Sequence, residues 1–181
     1  MSIYEFNSNN LLNWVTAFAL FEIPMALFYL SISSKNDIIT NWYSGKDINI
    51  WNVILQDSLY VLSFGIIIAL RIFKYLTNKK IVNKNFLIFM LVFIGVQLVG
   101  DLLFSLIITN WPKQYKTYWI NYFQNYIKEY GLYALFGDTS YVIAWALTFY
   151  FVANYIKSFD IRIFIISLFF FLVSAYSVRQ R

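Results

Sequence analysis

The chain has 181 residues, of which 60% are hydrophobic, 22% aromatic and only 13% charged; a soluble domain is about half apolar and about a quarter charged. It contains no cysteine and no histidine, which removes thiolate nucleophiles, disulfides, Cys/His zinc sites, His-ligated haem and any His–Asp triad. The net charge of +5 comes from basic residues gathered at the ends of apolar runs, a pattern that marks membrane boundaries and argues against nucleic acid as a partner.

The first residues, MSIYEFNSNNLLNW, hold no Lys or Arg ahead of the first apolar run, so a cleaved signal peptide is not expected. Five apolar segments follow, over residues 11–32, 53–73, 86–109, 135–156 and 163–178. The first four reach the roughly 20 residues that cross a hydrocarbon core of about 30 Å. The fifth is shorter and could instead be re-entrant or interfacial. The expected fold is therefore all-α: one integral membrane helical bundle with five transmembrane helices, alternatively four.

In the first segment Glu22 is followed closely by Pro24, a kink-prone pair of the kind that lines cavities. The connection to the second segment balances Lys35 and Lys46 against Asp37 and Asp47. The connection after it, RIFKYLTNKKIVNKN, carries Arg71, Lys74, Lys79, Lys80 and Lys84 with no acid. The excess of positive charge places the 71–84 connection in the cytoplasm and the 110–131 connection on the opposite side. With five spans Arg179 and Arg181 fall on the outer side, which mildly disfavours that count. The long third connection puts Trp119, Ile120, Phe123, Ile127 and Tyr130 on one helical face. Residues 114–130 are thus expected to form an amphipathic helix at the membrane surface, opened by Trp111-Pro112 and closed near Gly131.

Of the nine acidic residues, Glu22, Asp57, Asp101 and Asp138 fall inside the apolar segments. Each costs about 2.5–3.5 kcal/mol at a helix centre, less near an end. In the expected topology Asp57, Asp101 and Asp138 share the outer half of the membrane, whereas Glu22 lies near the middle of the first helix. No Lys or Arg falls inside an expected span at their depth, so the carboxylates must be protonated, hydrated, holding a cation or met by a snorkelling lysine. Gln97 and Asp101, four residues apart, share a helix face. Asp57 and Asp138 equally suit helix caps, with Ser58 and Thr139 beside them. Asp101, deep in its helix and nearer the C-terminal end, does not, which makes it with Gln97 the leading site candidate.

Two stretches echo each other: QDSLYVL matches Asp57 to Asp138, Tyr60 to Tyr141 and Val61 to Val142 in GDTSYVI. A parallel repeat or shared helix-start chemistry accounts for this equally. The longer stretch QLVGDLLFSLIITNWPKQYK…YFQNYIKEYGLYALFGDTSYVIAW resembles an uncharacterised family of small multi-pass membrane proteins encoded by large double-stranded DNA viruses of algae and protists. The resemblance covers about residues 54–155 and implies the helix order and a viral origin, not an activity.

Three functions remain open. A bundle could bind or transport protons, a small cation or an amine-bearing ligand through Asp101, Gln97, Asp138, Asp57, Glu22, Tyr60 and Tyr141. A structural protein could sit in a virion or organelle membrane. A lipid-modifying enzyme could use its intramembrane carboxylates as acid and base. No cofactor and no resident metal are expected; the lipid bilayer is the expected partner, and a homo-oligomer is compatible with the chain.

Overall fold

The computed structural model describes residues 3–32 and 50–179, so the first connection, with Lys35, Asp37, Lys46 and Asp47, lies outside the described residues. Among the described residues every regular element is helical: the protein is all-α. Among the described residues four helices, Trp51–Asn78, Phe86–Thr109, Leu132–Tyr155 and Phe159–Ser177, are long and apolar enough to cross a membrane.

Helix α1 spans Ser8–Ile32 and continues through Pro24. Its start is fixed by Asn7, whose Oδ1 accepts the Asn10 N–H at 2.9 Å, an asparagine cap that satisfies one of the first-turn amides. Pro24 has no N–H and leaves the Leu20 carbonyl without its usual donor one turn on.

The second segment is longer than its apolar core. α2 (Ile50–Tyr60) passes through a π-helical stretch, Val61–Ile67, into α3 (Ile68–Asn78). On α3, Ala69, Leu70 and Phe73 are buried. The helix ends in a reversing turn in which the N–H of Ile81 reaches the Leu76 carbonyl at 2.9 Å and that of Lys80 the Thr77 carbonyl at 3.0 Å.

α4 runs over Phe86–Thr109, the expected bounds, and starts at Asn85, whose side chain accepts from the Ile88 N–H at 3.2 Å. The connector is a short 3₁₀ turn, Lys113–Tyr115, and then α5 (Tyr118–Tyr130). Thr117 caps α5, accepting the Ile120 N–H at 3.3 Å. Gly131 closes it with φ +49°, ψ −122°, a backbone that a side chain strains. α6 (Leu132–Tyr155) and α7 (Phe159–Arg179) complete the chain.

The last helix begins earlier than its apolar run suggests, at Phe159 and not at 163. Ser158 lies at its start, its Oγ 3.4 Å from the Ile161 N–H, and Asp160 meets the positive end of the helix in the first turn. The segment reaches spanning length for this reason. It also places Arg162 inside the helix, at the end of its first turn.

The chain divides into two compact units: residues 1–62 with 144–181, and residues 63–143. In the first, α1 and α7 pack along each other and α2 packs on α7. Its core is aromatic. Trp14 stacks on Phe149 with ring centres 3.7 Å apart, Phe18 contacts Trp145 and Phe169, and the Trp145 indole N–H donates to the Trp14 carbonyl at 2.9 Å. In the second unit α3 packs on α4 through Phe73, Phe89 and Phe93, all fully buried. Further along α4, Phe104 meets Trp119 and Phe123 of α5 edge to face.

Elsewhere α4 exposes Leu87, Leu91, Val99, Leu102, Leu103, Leu106 and Ile107, and α7 exposes Phe164, Phe170, Phe171 and Leu172. Contiguous apolar faces of this extent are suited to hydrocarbon rather than to water.

Candidate functional site

The expected pairing on α4 is formed. Gln97 is 4% exposed, and its Nε2 donates to Oδ1 of Asp101 at 2.8 Å. The two residues are one helical turn apart, so the helix itself brings amide and carboxylate together. Oδ2 of Asp101 is buried as well. At about 1.5 Å per residue Asp101 lies roughly 12 Å before the end of α4, on a helix whose other central positions are aliphatic or aromatic apart from its two glycines and Gln97. A neutral amide that donates to one oxygen fixes the plane of the carboxyl group. The amide carries no charge, so this hydrogen bond by itself does not neutralise the carboxyl group.

Asp57 and Asp138 are half-buried, Tyr60 likewise, and Tyr141 is buried. Neither aspartate is a helix cap, because the first turns of α2 and α6 hold no acid. Both helices start upstream, in IWNVILQ and LYALFG, whose apolar and aromatic residues extend the helix ahead of the acid. The carboxylates therefore sit about two turns inside. The two similar stretches also continue differently: beyond Tyr60 the backbone turns π-helical, whereas beyond Tyr141 it stays α-helical to Tyr155. The shared motif does not carry one backbone geometry. Thr139 and Ser58 lie beside the acids as expected, and Ser58 Oγ donates within its own helix to the Leu55 carbonyl at 3.3 Å.

Glu22 is 2% exposed in α1. It accompanies further buried polar residues that composition did not single out: Asn10, Asn13 and Thr16. The Thr16 hydroxyl donates to the Leu12 carbonyl at 2.7 Å and the Asn10 amide to the Glu5 carbonyl at 2.7 Å. In neither unit do three acidic side chains gather closely enough to hold a metal ion, among the described residues.

Arg162 is the functional-looking residue that sequence reasoning missed. It is 4% exposed, and its three hydrogen bonds go to the Ile156 carbonyl (2.8 Å), the Lys157 carbonyl (3.2 Å) and Asn9 Oδ1 (2.8 Å). The guanidinium thus caps the carbonyl end of α6 and ties α7 to the start of α1. A cation suits the negative end of a helix, and the Lys157 ammonium, which donates to the Ala153 carbonyl, adds to it. The signal lay in SFDIR: a Ser and an Asp before the apolar run mark a helix start that encloses the arginine.

Between α1 and α7 lies a cleft of about 150 Å³ lined by Ala19, Leu20, Ile23, Ile165, Leu168, Phe169 and Leu172. Its lining has no acid, no base and no hydroxyl. The amphipathic character of α5 is evident: Asn121, Asn125, Lys128 and Glu129 are exposed, and Trp119, Ile120, Phe123 and Ile127 are sheltered. Part of that sheltered face is occupied by α4, since Gln124 Nε2 also donates to the Ile108 carbonyl at 2.8 Å.

Comparisons of the chain with protein-family models, curated proteins and solved structures find no match.

Proposed function

We propose that the protein is a multi-pass membrane protein in which the Gln97–Asp101 pair is an intramembrane proton-binding site. The observation that carries this reading is the 2.8 Å hydrogen bond that holds Asp101 beside a buried amide in the most apolar helix of the chain. An ionised carboxylate there is costly; a proton, a small cation or a protonated amine relieves that cost. The proton is the simplest of the three for this geometry, because one carboxyl group suffices for it and no three of the described acids gather as a metal site would require. Asp138 with Tyr141, in the same unit as Asp101, is a candidate for a further step of the same traffic. A lipid-modifying enzyme is less well supported, since the apolar cleft is lined by no carboxylate.

The five basic residues of the 71–84 connection place that connection in the cytoplasm and α5 on the opposite side. The chain is free of cysteine, so single cysteines at Asn83 and Asn125, both exposed, report sidedness directly. An impermeant thiol reagent added outside intact cells should label position 125 and spare 83. The reverse pattern would invert the topology.

The site itself is tested by Asp101→Asn in proteoliposomes. The amide keeps the side chain's size and can still accept from Gln97, but cannot take up a proton. pH-driven flux measured with an entrapped dye should be lost while thermal unfolding is little changed. Flux equal to that of the wild type, or a more heat-stable protein with no functional loss, would sink the proton site. It would favour a scaffold of a virion or organelle membrane, for which the close-packed aromatic core around Trp14 is the supporting observation.

A further inference from the structure

The end of the α3–α4 hairpin is the most strongly charged surface of the described chain. Arg71, Lys74, Lys79, Lys80 and Lys84 are all exposed, and no acid occurs between residues 71 and 85. On α3, Arg71, Lys74 and Asn78 are three and four residues apart and share one face, while Ala69, Leu70 and Phe73 turn inward. Next to the cations Ile72, Tyr75 and Ile81 are exposed. A band of apolar and aromatic surface bordered by long cationic side chains fits the boundary between acyl chains and headgroups. There the stems and rings are sheltered and the charges reach phosphate.

The backbone strengthens the field. The reversing turn after α3 puts Lys80 in the left-handed region, φ 56°, at the position where helix ends favour glycine. A lysine there carries backbone strain that glycine would not, and keeps a cation at the apex of the turn. Past Lys84, α4 presents its amino-terminal end, where the helix dipole is positive. Side chains, turn and helix end all attract anions.

We propose that this hairpin end binds the headgroups of anionic phospholipids in the bilayer. The proposal rests on the reading of α3 and α4 as membrane-spanning, and adds to it a lipid class and the residues that select it. Each cation near an anionic surface contributes roughly fivefold in affinity, so the cluster should enrich anionic lipid around the protein.

The full-length protein is reconstituted in phosphatidylcholine vesicles carrying trace nitroxide-labelled phosphatidylglycerol or phosphatidylcholine, and electron spin resonance measures the protein-restricted fraction of each. The wild type should prefer phosphatidylglycerol several-fold, and added sodium chloride should weaken the preference. R71Q/K74Q/K79Q/K80Q should bring it close to one, whereas K113Q/K116Q/K128Q on the other connection should leave it intact. K80G should raise the melting temperature yet lower the preference, a combination that a purely structural lysine would not give. Inserted wild type without preference, a quadruple variant that keeps it, or equal loss in the control variant each overturns the proposal while leaving the membrane reading standing. Inorganic phosphate removing the preference beyond the effect of equal ionic strength identifies free phosphate as the ligand and likewise overturns it. Failure of the chain to insert into vesicles overturns both.

Discussion

The two units differ in what their most buried polar side chains hold together. In the unit made of residues 1–62 and 144–181, polar groups join one helix to another: Trp145 donates to the Trp14 carbonyl of α1, and Arg162 of α7 bonds Asn9 and the carbonyl end of α6. In the unit of residues 63–143, Gln97 and Asp101 pair along a single helix, and one side-chain bond, from Gln124 of α5 to the Ile108 carbonyl, joins α5 to α4. The first arrangement fixes packing, since each bond fails if the helices shift. The second packs α3 on α4 through Phe73, Phe89 and Phe93.

Substitutions can break this contrast, and the largest effect belongs to the aromatic core. Trp14→Ala should cost about 3–5 kcal/mol, because a fully buried ring stacked on Phe149 leaves a cavity. Unfolding in mixed micelles measures it, and a loss below about 1 kcal/mol would mean that the unit does not depend on this stack. Arg162→Ala should come next, at about 2–3 kcal/mol, since three acceptors lose a charged donor. Arg162→Lys should recover only part of this, because an ammonium cannot reproduce the fork of the guanidinium.

In the other unit the effects should be smaller. Gly131→Ala meets no steric obstacle, its nearest neighbour being the Ile127 carbonyl oxygen at 3.9 Å. The cost, about 1–2 kcal/mol, should come from the strained backbone alone, visible as a lower melting temperature with an unchanged helical signal. Smallest is the coupling within the pair itself. A double-mutant cycle of Gln97→Ala and Asp101→Ala should give about 0.6 kcal/mol, the usual size for a hydrogen bond between side chains in a membrane helix. A coupling several times larger would make the pair a structural lock like Arg162, and the contrast between the units would dissolve.

Much of this was legible in the sequence where one helix settles the matter. The α4 bounds, the Gln97–Asp101 pairing, the sheltered face of α5 and its closure at Gly131 all follow from spacing along a single element. The cap reading that Asp57 and Asp138 equally suited did not hold, because a cap depends on where the helix begins, and both helices begin upstream of the acids. The start of α7 was misplaced for the converse reason: apolar content was read ahead of the Ser158 and Asp160 signal, and Arg162 was left outside.

By itself, then, the sequence determined an all-α chain of long apolar segments, read as five crossings or alternatively four, and a carboxylate–amide pair one turn apart. Composition and the helical period are local properties, carried by each segment wherever it packs. Only the tertiary structure decided that Trp14 meets Phe149, that Arg162 closes the end of α6 onto Asn9, and that α4 occupies part of the α5 face. These contacts join residues far apart in the chain, and which apolar face meets which is set by shape complementarity and by the acceptors left at helix ends, neither of which a hydropathy pattern encodes.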